Sequence, residues 1–77
     1  MDFVYMFVYD GGCEWEDIII FLSKEDAIRE SINHPNHRVE IFCKTLTSGY
    51  KPTYNYYKNG ELVIQDSWKR GKLDVKI

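Results

Sequence analysis

A chain of 77 residues has room for one small domain, whose stability is marginal unless aromatic burial or association assists it. Its net charge of −2 argues against a uniformly basic nucleic-acid surface, and its apolar runs fall far short of the ~18 residues that cross a membrane. With no basic leader before an apolar stretch, a cytoplasmic protein is expected, with Cys13 and Cys43 as free thiols.

The charge is uneven. Residues 1–33 hold eight acids against Lys24 and Arg29, a net −6, whereas residues 34–77 hold eight cations against four acids, a net +4. Such asymmetry lets the acidic half of one copy meet the basic half of another.

Residues 3–9, FVYMFVY, are apolar at every position. Such a strand is covered on both faces and therefore central. Asp10-Gly11-Gly12-Cys13-Glu14 supplies a turn, and residues 15–22 return as the second strand of a hairpin. Ser23 then offers a helix N-cap, with Asp26 three residues on and Glu25 beside it in the first turn. Ala27, Ile28 and Ile32, with Ser31 among them, form a narrow apolar stripe. Lys24, Glu25, Arg29 and Glu30 face outward, with Glu25 and Arg29 as an i,i+4 pair. Pro35 stops the helix near Asn33.

After a loop at residues 34–37, a third strand spans residues 38–46. Val39, Ile41 and Cys43 point one way, and Arg38, Glu40, Phe42 and Lys44 the other. A right-handed crossover lays this strand against the first, giving the order 2-1-3. Residues 47–53 read as a loop rich in turn formers. Residues 54–58 and 61–65 flank Asn59-Gly60, the preferred type I′ turn. That turn sets Tyr57 opposite Leu62 and Tyr56 opposite Val63, with Tyr54, Tyr56 and Lys58 on one face and Asn55 and Tyr57 on the other. Trp68 is expected to pack back on the body, residues 69–72 to turn, and Leu73, Val75 and Ile77 to alternate as a short last strand. The expected fold is a single α+β domain, β-β-α-β plus a C-terminal hairpin. Its sheet is mainly antiparallel, with one helix on one face. No single helix stripe covers both faces of the first strand, and an uncovered apolar face marks an interface. A homodimer is therefore expected.

Few residues carry chemistry. His34-x-x-His37, with Cys13 and Cys43, offers the ligand types of a zinc site, but the spacing is loose and no C-x-x-C pair anchors it. Two solvated imidazoles in a loop are the better reading. Asp10, Glu14, Glu16 and Asp17 lack the ordered spacing of a calcium loop. No metal or other cofactor is expected. No nucleophile elbow, phosphate loop or dinucleotide fingerprint occurs, and Cys43 in mid-strand reads as a structural thiol. The chain is not expected to be an enzyme.

The most suggestive patch is Tyr50, Lys51, Tyr54, Tyr56, Tyr57 and Lys58, with Lys69, Arg70 and Lys72 downstream, and the working surface is expected at Tyr50, Lys51, Tyr54, Tyr56, Lys58, Lys69 and Arg70. Tyrosines are enriched at protein interfaces, and rings interleaved with cations also suit single-stranded nucleic acid. Strand tyrosines that merely fill a core, beside an edge lysine that blocks aggregation, would look the same. A protein-binding accessory module is the leading expectation, and a nucleic-acid binder the alternative. A small-ligand or nucleotide-sequestering protein, with a cleft lined by Tyr and Lys, comes third.

The runs F-V-Y-M-F-V-Y, D-I-I-I-F-L-S-K-E-D-A-I and Y-Y-K-N-G-E-L-V, with the acidic glycine loop, resemble small viral or phage-type orphan proteins. The chain is also similar to compact ββαβ domains of unknown function that share a junction of the form F-x-S-K-E-x-A. The resemblance covers roughly residues 3–46 and transfers no functional residue. It implies an accessory or host-interacting protein, in the host-cell cytoplasm if viral, rather than a metabolic enzyme.

Overall fold

A computed structural model describes residues 2–64. Strand β1 (Phe3–Tyr9) pairs antiparallel with β2 (Ile19–Phe21) on one side and with β3 (His37–Lys44) on the other. Strand β4 (Tyr50–Lys58) lies antiparallel to β3, and β5 (Glu61–Val63) closes the hairpin. The five strands form one sheet in the order β2-β1-β3-β4-β5, and helix α1 (Lys24–Asn33) packs on one of its faces. The fold is α+β, and the 2-1-3 arrangement stands as expected.

Ser23 caps α1 by accepting a hydrogen bond from the Asp26 amide at 3.2 Å. Its own hydroxyl donates to Glu25 Oε1 at 3.0 Å. Two of the first-turn polar groups are thereby satisfied. The expected Glu25–Arg29 pair does not form. Arg29 instead donates to Asp26 Oδ1 at 2.6 Å and lies 3.5 Å from Glu30 Oε2, because Glu25 is held by the cap.

The core comprises Tyr5, Phe7, Ala27, Val39, Ile41 and Tyr57, with Phe21 and Ile28 against it. Small residues bring α1 close to the sheet: Ala27 and Ser31 are fully buried. Ser31 Oγ donates to the Ile28 carbonyl (2.7 Å) and accepts from the Gly60 amide (2.9 Å), which ties the helix to the hairpin turn. Ile32, placed in the apolar stripe, is largely exposed, and its end lies over Gly60. Asn59 (φ 53°) and Gly60 (φ 82°) both take the left-handed backbone that the type I′ turn needs. The register is the expected one, with Tyr57 opposite Leu62 and Tyr56 opposite Val63.

Four sequence expectations need correction. Residues 15–22 are not one strand: Trp15–Asp17 form a 3-10 turn, closed by Ile18 N–H to the Trp15 carbonyl, and only Ile19–Phe21 join the sheet. The third strand ends at Lys44, before residues 45 and 46. The loop expected at residues 47–53 is shorter, because Thr45 closes it by bonding Gly49 and Ser48 and β4 begins at Tyr50. Among the described residues, strand β1 is covered on one face only. The C-terminal hairpin extends the sheet beside β3 instead of folding over β1, which makes β3 the middle strand. The expected packing of Trp68, the turn at residues 69–72 and the last strand lie outside the described residues, as does the far end of the strand expected at residues 61–65.

Candidate functional site

Directly paired residues in an antiparallel sheet share a face. The pairings therefore define two rows that cross all five strands. Ile19, Phe7, Val39, Tyr57 and Leu62 face α1, and Ile20, Met6, Glu40, Tyr56 and Val63 face away from it. Beside the second row run Val4, Phe42 and Pro52, and Val8 paired with Arg38. No element among the described residues covers this second face.

A shallow trough of about 450 Å³ lies on it, with Met6, Val8, Ile18, Phe42, Pro52 and Tyr54 as apolar walls. Asp10, Arg38 and Glu40 form its polar end. Tyr54 reaches the trough through a bulge. The β3–β4 register shifts between Glu40 and Phe42, and Tyr54 takes φ 69°, an uncommon backbone for a bulky residue. The bulge is anchored on the other face, where Thr53 Oγ1 donates to the Ile41 carbonyl at 2.8 Å and accepts from the Asn55 amide at 3.1 Å.

The polar end is a closed network. Arg38 Nε donates to Glu40 Oε2 at 2.6 Å, Nη1 reaches Asp10 Oδ1 at 3.3 Å, and the guanidinium sits 5.5 Å from the Tyr56 ring centre. Lys58 Nζ bonds Asp10 Oδ2, the Pro35 carbonyl (2.5 Å) and the His37 carbonyl (3.2 Å). The Lys58 hydrogen bond, then the charges of Lys58 and Arg38, hold the Asp10 carboxyl below its ordinary range. Glu40 in turn raises the already high Arg38.

The expected working surface is therefore only partly assembled. Tyr54 and Tyr56 both lie on the open face, Tyr56 through its pairing with Glu40 and Val63 and Tyr54 through the bulge. Lys58 points into the Asp10 network, so its charge is already met. Tyr50 and Lys51 stand in β4 rather than a loop, opposite Lys44 and Cys43, roughly 20 Å along the strand from Lys58. Lys69 and Arg70 lie outside the described residues. The sequence reading missed Met6, Val8, Phe42 and Pro52 as surface residues. Its one signal was the second apolar face of residues 3–9, joined by Phe42 on the otherwise polar side of β3.

The two histidines are not equivalent solvated groups. His34 lies 3.3 Å from Glu30 Oε1. His37 stacks flat on Phe7 at 4.5 Å and meets Tyr9 edge-on, and its buried Nδ1 finds no hydrogen-bond partner among the described residues. Among those residues no three His, Cys, Asp or Glu side chains gather as a metal site, and no helix is long and apolar enough to cross a membrane. Both thiols are unpaired and half-buried.

No known family, curated protein or solved structure matches the chain.

Proposed function

We propose that this chain is a non-enzymatic protein-binding module that docks a partner on the open face of its sheet. The observation that supports this reading is the trough itself. Met6, Val8, Phe42 and Pro52 form an adaptable apolar floor, flanked by Tyr54 and Tyr56 and closed at one end by paired charges. A methionine-bearing floor accommodates varied side chains, and tyrosines at its rim supply rigid amphipathic contact. The partner is a polypeptide that presents aliphatic or aromatic anchors, with a polar group to meet Arg38 or Glu40. An accessory role, host-directed if the chain is viral, follows from the same reading.

Nucleic-acid binding is the weaker alternative, because Lys58 is committed to Asp10 and two carbonyls, and Tyr57 is in the core. Peptides selected from a random displayed library should shift amide resonances along β1, β3 and β4 on the open face. Phe42→Asp should abolish their binding while Lys51→Ala leaves it intact. Perturbations confined to Tyr50 and Lys51, or salt-sensitive binding of an oligothymidylate lost in Lys51→Ala, would point to the alternative.

A further inference from the structure

Strand β2 is an edge whose one guard among the described residues is its shortness, three residues. Edge strands are otherwise protected by charge, proline, bulges or a covering element, because their outward N–H and C=O groups template another strand. Residues 18–22 read Ile-Ile-Ile-Phe-Leu, without one charge, proline or glycine. Only β1 pairs with Ile19–Phe21, so the outward groups have no partner among the described residues. The side chains are open as well: Ile19 is 50% exposed, Ile20 48%, Leu22 61% and nearby Trp15 79%. The opposite edge differs, since Glu61 stands in β5.

We infer that β2 pairs with β2 of a second copy of this chain, joining the two sheets edge to edge about a two-fold axis. A continuous antiparallel sheet keeps paired residues on one face, so the axis passes through a residue that meets itself. Centring it on Ile20 matches Ile18 with Leu22 and Ile19 with Phe21, and leaves no apolar edge residue unpaired. The same centre brings Glu16 of each copy towards Lys24 of the other and Trp15 towards the start of the opposing helix. The apolar run at residues 18–22 is thus complementary to itself under this operation, as an isologous contact requires, and of the residues flanking it Glu16 and Lys24 carry opposite charges. The open-face trough shares only Ile18 with this seam, and its other walls stay open to the proposed docking partner. The two Met6–Ile20 rows instead merge into one longer apolar face.

Sedimentation velocity of the full chain at tens of micromolar should give a species of roughly twice 9.2 kDa, and Ile20→Lys, which sets like charges face to face, should reduce it to the monomer. In a Cys13→Ser, Cys43→Ser background, Ile20→Cys should form an interchain disulfide on mild oxidation, whereas Leu62→Cys should not. Glu16→Lys and Lys24→Glu should each weaken association about two- to fivefold, and their combination should restore it. If Ile20→Lys fails to fold by circular dichroism, the charge pair and the cysteine comparison carry the test. A monomer at these concentrations, a dimer cross-linked through Leu62→Cys, or a charge swap that does not restore association would overturn the inference.

Discussion

Phe7 and Met6 are neighbours in β1, yet they meet different surroundings. Phe7 faces α1, is buried, and touches Phe21, His34 and His37 through its ring. Met6 faces away, half-buried between Ile20 and Glu40 on a surface that no described element covers. Both residues are apolar, so hydropathy alone does not tell the structural face from the available one. What separates them is the helix: one narrow stripe of Ala27, Ile28 and Ser31 covers one side, and the chain supplies no second layer within residues 2–64.

The largest test of that contrast is truncation. Phe7→Ala should cost about 3–5 kcal/mol in urea unfolding, enough to unfold much of so small a protein. Met6→Ala should cost under ~2 kcal/mol, because part of its surface already meets solvent. Equal costs would mean that the open face is as much a core as the covered one.

A second substitution sharpens the contrast from the covered side. Ser31→Ala removes the hydroxyl that accepts from Gly60 and leaves that amide unsatisfied under the helix. The expected loss is ~1–3 kcal/mol, seen as a lower urea midpoint and as faster amide exchange in β5. Unchanged exchange there would show that α1 does not hold the hairpin.

The smallest effect lies on the open side. Asp10 has a depressed carboxyl, so its contribution is present above the ordinary carboxylate value and fades as pH falls through the lowered one. Unfolding measured between about pH 4 and pH 2 should show wild type losing stability relative to Asp10→Asn. The difference should stay under ~1 kcal/mol, because the group is solvent-exposed. Parallel curves for the two proteins would remove Asp10 from the account of the trough's polar end.

Local rules made the helix and the hairpin readable. Ser23 before an acidic turn, Pro35 after the helix and Asn59-Gly60 each act within a few residues, and each sits where that chemistry puts it. The strand order was readable from the right-handed crossover through the helix, whereas the cover on both faces expected from the all-apolar residues 3–9 is met on one face only among the described residues. The surface was harder. Tyr50, Lys51 and Lys58 looked equivalent by type, yet Lys58 is captured by Asp10, forty-eight positions away in sequence. The β4 bulge could not be read either, since Tyr54 in a left-handed backbone contradicts its own preference and is set by its neighbours Thr53 and Ile41. Nor does the run at residues 18–22 announce an edge, because a buried strand is written in the same residues.

The bond from the Gly60 amide to Ser31 Oγ also bears on the chemical ageing of the protein. In an Asn-Gly pair the glycine nitrogen can attack the asparagine side-chain carbonyl, expelling ammonia to leave a succinimide that water opens to aspartate or isoaspartate. Here that nitrogen belongs to Gly60, and its hydrogen is directed at a buried serine hydroxyl 2.9 Å away. Attack on Asn59 requires the turn to leave the helix first. Peptide mapping of stored protein should therefore find slow conversion of Asn59 in the wild type and faster conversion in Ser31→Ala, with equal rates arguing against protection. A core hydroxyl on α1 thus sets how long an exposed bend on the far hairpin keeps its covalent identity.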